Sequence, residues 1–544
     1  MPRKKLIFFI LIFCLLLQGC WLSNMPVYVP PSVPTPPILD DPPLIIEQTP
    51  TAAPSARGMF IIRYEPANTL NPILALNRDN ISITSLMYES LFVLDENLTA
   101  APLLCESWES EDNITFIFTI FPDIAMHNGD TLTASDVAYS IRQARQRGRH
   151  RNKLRSVASV NVVDDLTLTI TLDAPNARFI RLLDTPIIKA DTMDDPIPPG
   201  TGPFTFPNPD SLRLARFSGH RNYLNMPLPT VYLRVASDSD ITELFDQGGL
   251  SLLWDDPTSA IDIRINRDHE PRYYNTTSLH FLGFNSSSMP LWNPDVRRAI
   301  GCAIERQYIV ENIMNVPRPN QTVAANVAIS PVFDMYDANW EPRTDPLSEM
   351  AALLDRAGVD DYDQDGLLEL YDGWLGTKFT LNFIVNIENT HKVAAAEHIA
   401  DSLRQVGFNI DLRLMPWDDF MRALRDGKFD LYYGEVQLGA DFDFSPLLIP
   451  DTIVAGDSLN YGGTANNSYR SYVQNFLAAE TWDEVNIAGK ELCDEIRMNA
   501  PFIPILYKRH AIYSPIGVIS GAKPSESGVF NNFQDWTIDL HSLT

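Results

Sequence analysis

The chain has 544 residues, 45% of them hydrophobic, and a formal net charge of −27. Apolar content on that scale buries large cores, while the acidity disfavours nucleic acid and anionic lipid headgroups as partners. Beyond the N-terminus no segment offers the roughly 20 consecutive apolar residues that crossing a bilayer requires.

The chain opens with Arg3, Lys4 and Lys5 ahead of an apolar run from Leu6 to Leu17, the charge-then-hydrophobe layout of a secretory signal. Leu17-Gln18-Gly19-Cys20 follows and resembles the lipobox of bacterial lipoproteins, although Gln18 is not a favoured residue at its position. Residues 1–19 therefore read as a signal peptide, and Cys20 as a diacylated new N-terminus. The alternative is an uncleaved N-terminal anchor with Cys20 buried, and both readings put the folded part outside the cytoplasm. Prolines recur from Pro26 to Pro54, so residues 20–57 are expected to form a semi-rigid, polyproline-like tether.

Roughly 490 residues remain, enough for two or three lobes. Phe116 with Phe118, and later Leu166, Leu168, Ile170 and Leu172, alternate with period two and predict antiparallel strands. Between them Thr133 and Asp136 predict a capping box, with Asp in place of the usual Glu, ahead of Val137 and Ile141. Asn293-Pro294 caps a helix carrying Val296, Ala299, Ile300, Ala303 and Ile304; Asp345-Pro346 caps one carrying Met350, Leu353, Leu354 and Ala357, stopped by Gly358.

Asp361-Tyr362-Asp363-Gln364-Asp365-Gly366 then spaces carboxylates as the start of a calcium loop does. Asp372 falls where such loops prefer a bidentate Glu, about twelve positions from the start. The same residues suit an acidic turn without metal. Next, Phe379, Leu381, Phe383 and Val385 alternate, Val393, Ala396, Ile399, Ala400 and Leu403 make a helical face, Gly407 takes the C-terminal cap, and Phe408, Ile410, Leu412 and Leu414 alternate again. Strand, helix and strand at these lengths predict a right-handed parallel crossover and an α/β protein.

Catalytic and metal motifs are missing: no HExxH, CxxC, Walker A loop, GxSxG or GxGxxG occurs. Cys105, Cys302 and Cys493 lie far apart among apolar neighbours and read as buried thiols rather than a disulfide framework. The nine histidines are dispersed. No cofactor and no catalytic metal is expected.

Several segments, in order over nearly all of the chain from Gly58 on, resemble the family 5 extracellular solute-binding proteins, the oligopeptide and dipeptide receptors of ABC importers. They are Thr69-Leu70-Asn71-Pro72, Met87-Tyr88-Glu89-Ser90-Leu91, Ala101 to Trp108, Gly200-Thr201-Gly202-Pro203-Phe204, Asn285 through Arg306, and Pro501-Phe502-Ile503-Pro504. The most specific is His127-Asn128-Gly129-Asp130 with Leu132 to Val137. Phe121 and Leu438 depart from the family's pattern, where a basic residue and a bulky aromatic are usual.

The resemblance implies an α/β, periplasmic-binding-protein-like (class II) Venus-flytrap with two lobes and a third domain. Residues 58–85, 190–265 and 495–544 would form lobe I, residues 86–189 the extra domain and residues 266–494 lobe II. By the same resemblance Asp441 takes the place of the aspartate that pairs with a peptide α-ammonium; Asp441 and Asp443 as turn residues or a helix cap are the alternative. Tyr432, Tyr433 and Trp417 are candidates to line the cleft, with core packing as their alternative. The expected partners are an oligopeptide or other small solute, an ABC permease and the membrane through Cys20, the protein itself being a monomer. Two other functions compete. A hydrolase needs a nucleophile with a base, or paired carboxylates at diagnostic spacing, which the chain does not show. A peptide-sensing or adhesive lipoprotein would keep the same fold and tether, and a neighbouring permease gene would argue against it.

Overall fold

Residues 58–542 are described by a computed structural model, apart from 257, 259–262, 317, 342–345, 372, 374–375, 450–458 and 464–467. The expected signal peptide, Cys20, the tether, the Asp345 cap and Asp372 lie outside the described residues.

Local signals in the sequence become local structure. Thr133 donates from its backbone N–H (2.9 Å) and its hydroxyl (2.8 Å) to Asp136 Oδ2, closing the box that starts helix Ala134–Gln146. That helix buries Val137, Ala138, Ile141 and Ala144 beside a four-stranded antiparallel sheet ordered Cys105–Glu109, Thr115–Ile120, Thr167–Leu172, Val157–Val162. In its register Phe116 faces Ile170 and Phe118 faces Leu168. Asn293 accepts from Asp295 N at 2.9 Å and starts helix Pro294–Cys302, which ends one residue before Ala303, so Ala303 and Ile304 are buried in the turn that follows. Helix Pro346–Ala357 stops at Gly358, whose φ of +68° suits glycine.

The parallel crossover forms as the changing period predicts. Leu381–Asn386 pairs in parallel with Ile410–Met415, Phe383 opposite Leu412, and helix Thr390–Gln405 buries Ala396, Ile399, Ala400 and Leu403 between them in sequence. These strands belong to a seven-stranded sheet in the order Leu253–Asp255, Phe502–Pro515, His269–Phe284, Leu431–Gln437, Leu381–Asn386, Ile410–Met415, with Thr322–Ala324 also on the Phe502–Pro515 strand. A separate four-stranded sheet joins Ile61–Tyr64, Thr230–Val235, Arg213–Arg216 and Phe204–Thr205.

Two long antiparallel strands, His269–Phe284 and Phe502–Pro515, run from one apolar core into others. Ala511, Ile512 and Tyr513 pack in the core that holds Phe60 and Phe118. At the other ends, Leu279, Phe281, Phe502 and Tyr507 join a second core, and Leu282, Phe284, Ile503 and Ile505 a third. Between these ends the sequence turns polar: Thr276, Thr277 and Ser278 on one strand and Lys508 and His510 on the other are all buried. Register shifts between Asn275 and Leu279 and between His280 and Phe281 fall in or beside the same stretch. The two paired strands thus have an ionic, bulged waist between their apolar ends.

Three of the segments that carry the family resemblance meet in space. His127 N donates to Gly200 O at 2.8 Å, and Gly202 N donates to Met87 O at 3.0 Å. A Cβ on Gly202 would lie 2.4 Å from the carbonyl carbon of Met87 and 2.7 Å from Tyr88 N. Backbone cannot yield as a flexible side chain does, so Gly202→Ala is expected to destabilise by about 1–3 kcal/mol. An unchanged urea midpoint in this variant would show that the approach of the two chains is not needed.

Candidate functional site

A cavity of about 410 Å³ opens beside the polar waist. Its wall draws on the start of helix Arg78–Met87, the loop after helix Ala134–Gln146, Thr277 on a crossing strand, the run from Glu435 to Asp441, and Glu526. Such a volume is within the range of small-ligand sites. No Phe, Tyr or Trp lines it among the described residues, and its wall is dominated by charge.

Most of these charges are already satisfied. Lys153 pairs with Asp184, Arg155 with Asp443, and Arg181 with Asp334 at 2.8 Å. Glu435 is held by Lys508 at 2.6 Å and Lys392 at 2.5 Å. Asp443 Oδ1 also accepts from Ser445 N at 2.8 Å, so this aspartate is indeed a turn residue.

Asp441 differs. It is 3% exposed, Oδ2 accepts from Asn176 Nδ2 at 2.8 Å and Oδ1 from Asp443 N at 3.4 Å, and it makes no ion pair among the described residues. Burial, and then the neighbouring Asp443, raise its carboxyl above the usual range. Glu526 is similar: it accepts from Gln437 Nε2 at 2.6 Å and from Thr277 Oγ1 at 3.0 Å, and burial raises its carboxyl too.

Of the four residues singled out for ligand contact, the structure brings only Asp441 to this cavity. Strand alternation sends Tyr432 into the second core against Phe281 and Phe429, and Tyr433 to the opposite face, where His280 Nδ1 lies 3.1 Å from its hydroxyl. Trp417 is 54% exposed at the start of helix Trp417–Arg425, its backbone N–H bonded to Glu388. Among the cavity residues that sequence reasoning passed over are Arg78, Arg149 and Glu526. A signal existed for one: the stretch from Arg142 to Arg155 carries seven basic residues and no acid, in a chain of net charge −27.

The acidic loop has its own counter-charge. Asp361, Asp363 and Glu369 converge, and Lys378 Nζ lies 2.9 Å from Asp363, contacts Asp365 and is 3.9 Å from Glu369. Asp361 accepts from Asp365 N at 3.0 Å and Gly366 N at 2.9 Å, as a tight turn requires. The three thiols are free; Cys105 and Cys493 are buried and Cys302, contrary to expectation, only half-buried because its helix presents it beside Arg298 and Glu349.

The sequence pattern of the bacterial extracellular solute-binding proteins, family 5 (middle), matches residues 99–450. The chain is 22% identical to a dipeptide-binding protein, DppE, of Bacillus subtilis (strain 168) over 494 residues, 82% of this chain and 86% of that one. It is 23% identical to heme-binding protein A of Haemophilus influenzae over 449 residues, 75% of this chain and 78% of the relative. The solved structure of the oligopeptide-binding protein AppA from Bacillus subtilis, in complex with a nonapeptide, superposes with a TM-score of 0.64 at 18% identity, covering 88% of this chain and 98% of AppA.

Proposed function

The chain belongs to the bacterial extracellular solute-binding proteins of family 5, and we propose that it is an extracytoplasmic receptor that captures an amphoteric solute, an oligopeptide above all, for an ABC import permease. Proteins of this family are binding proteins and not enzymes, and they share the two-lobed periplasmic-binding-protein fold. Relatives named for dipeptides and for heme show that the fold alone does not choose the solute. The observation that carries the peptide reading is Asp441, a buried carboxyl in the cavity wall that is hydrogen-bonded but makes no ion pair among the described residues. A peptide ammonium supplies that cation, because a buried charge needs an opposite one. A wall with charged groups and, among the described residues, no Phe, Tyr or Trp suits a polar chain better than a flat apolar ring system.

Residues 58–85, 190–265 and 495–544 are read as lobe I, residues 86–189 as the extra domain and residues 266–494 as lobe II. The polar waist of the two crossing strands supports hinge closure between the lobes. Scattering curves of the pure protein with and without a pool of two- to five-residue peptides test this. Compaction on binding without hydrolysis is the expected result, and cleavage of the peptides would revive the enzyme reading.

Cys20 is read as the lipid attachment point on the strength of the Leu17-Gln18-Gly19-Cys20 signal and the proline-rich stretch that follows it. Cys20→Ser is expected to move the protein out of the membrane fraction or leave its precursor uncleaved. Normal processing with unchanged membrane retention would refute the anchor.

A further inference from the structure

We propose that a separate cavity, at the start of the Phe502–Pro515 strand, is a binding site for a small carboxylate with an apolar body, whatever solute the main cavity captures. It encloses about 270 Å³ and shares no lining residue with the cavity that holds Asp441. Helix Pro294–Cys302 brings Arg298 and Cys302 to it, and helix Trp482–Asn499 brings Cys493, Ile496 and Arg497 on one face. The strand supplies Phe502 and Ile503. Gly301 sets the spacing: a Cβ there would lie 2.8 Å from Ile503 Cδ1, so glycine lets the end of the first helix settle on the strand.

Two kinds of wall define the occupant. One is apolar, formed by Ile304, Val327, Ile496, Phe502 and Ile503, and favours hydrocarbon over water. The other is cationic: Arg298, Arg306 and Arg497 line the cavity with a single carboxylate, Glu349, in a chain whose net charge is −27.

These arginines keep unused donors. Arg306 Nε donates to Pro504 O at 2.8 Å, and its Nη1 to Gly301 O and Ile304 O, each at 3.4 Å, which holds the guanidinium against the end of the helix. Its Nη2 has no acceptor, and no carboxylate pairs with it, among the described residues. Burial pulls this group down to about 10 with no acid to offset it. Arg298 commits Nη1 to Asp295 at 3.0 Å and Nη2 to Glu349 at 2.9 Å, yet its Nε is buried without a hydrogen-bond partner. Arg497 reaches Asp494 of its own helix at 3.3 Å.

A carboxylate oxygen can accept from Arg306 Nη2 without breaking the bonds that hold the guanidinium, and such a preoriented, charge-assisted contact loses little freedom on forming. A wholly polar anion would leave the apolar wall uncovered. An apolar amine would add a cation where cations are already in excess. A carboxylate carried on hydrocarbon fits both walls.

Cys302, a free and half-buried thiol in the wall, is a reporter confined to this site. The full-length protein is treated with N-ethylmaleimide in the presence of hexanoate, hexanol or hexylamine, and modification of Cys302 is followed by peptide mass. Hexanoate should slow that modification, hexylamine should not, and hexanol should need at least tenfold higher concentration, the difference made by one charge-assisted hydrogen bond. Arg306→Gln should weaken protection by hexanoate at least tenfold and leave that by hexanol unchanged. Because Arg306 also holds the helix end, Arg497→Gln is the companion variant; it removes a half-exposed charge and should weaken hexanoate roughly twofold to fivefold. Equal protection by hexanoate and hexylamine, or none by either, would overturn the site. So would full hexanoate protection in both variants. Each of these results leaves the receptor reading, which rests on Asp441, as it stands.

Discussion

Lys508→Met is expected to lower the stability of the ligand-free protein by about 3–5 kcal/mol, the cost of leaving buried charges without a partner. Lys508 is 4% exposed and its ammonium lies 2.9 Å from Asp256 Oδ2, 2.6 Å from Glu435 Oε1 and 2.9 Å from Thr258 Oγ1. Burial works against the charged forms of Asp256 and Glu435, yet Lys508 holds both carboxyls well below their ordinary range. Removing it strands Asp256 at the waist of the paired strands and leaves Glu435 to Lys392 alone. Adding Asp256→Asn to Lys508→Met should recover part of the loss in urea unfolding, since the stranded charge is then gone. No loss in the single variant would mean that water already reaches this network.

The same waist fixes the pH dependence. Burial pushes His510 down to about 4, its Nε2 lying 3.6 Å from Asp256, too far for a hydrogen bond, and burial lowers His280 as well. An unfolded histidine takes its proton near pH 6.5, where native His510 remains neutral. The unfolded state therefore binds more protons between about pH 6.5 and 4, and stability falls on acidification through that window by up to about 1.4 kcal/mol per pH unit for one such group. The lowered carboxyls of Asp256 and Glu435 contribute stability that is present above their unfolded values and lost as pH falls through their native ones. Lys508, raised by those two carboxylates against its own desolvation, contributes below its unfolded value and loses this as pH climbs through its native one. Urea midpoints that stayed level from pH 7 to 5 would contradict the His510 assignment.

What was legible in the sequence was local. The Thr133–Asp136 box, the Asn293 cap and the crossover from Leu381 to Met415 each depend on residues within a turn or a period of one another, and each forms. Lys508 was not legible, because it follows the apolar run from Phe502 to Tyr507 and its partner Asp256 is 252 positions away. Nor was the meeting of Arg78 with Arg149, which depends on how closely Gly148 approaches the backbone of Ile73. Tyr432 and Tyr433 show the limit of composition: two adjacent aromatics on a strand face opposite ways, and here both faces are packed. Asp441 was placed by resemblance to a family rather than by spacing, and no local pattern announces it.

Asp441→Ala is expected to weaken the binding of peptides with a free N-terminus by a factor of roughly 100 or more. An ammonium enclosed without its carboxylate loses on the order of 3–5 kcal/mol. Asp441→Asn, which keeps the shape and the bond to Asn176 but not the charge, should be nearly as damaging to affinity. Stability should move the other way. A carboxyl raised by burial favours the folded state below its unfolded value, and that contribution is lost as pH rises through the raised native one. Above that raised value the ionised group therefore opposes folding until a ligand pairs with it. Ligand-free Asp441→Asn should accordingly melt at or above the wild-type temperature while binding poorly, a combination that a residue serving only as a turn or cap would not give. Wild type should also discriminate against N-acetylated peptides by a similar factor, with the discrimination lost in both variants. Titration calorimetry showing equal affinity for free and acetylated peptides would remove Asp441 from the ammonium's path and move the reading toward a solute without a cationic end.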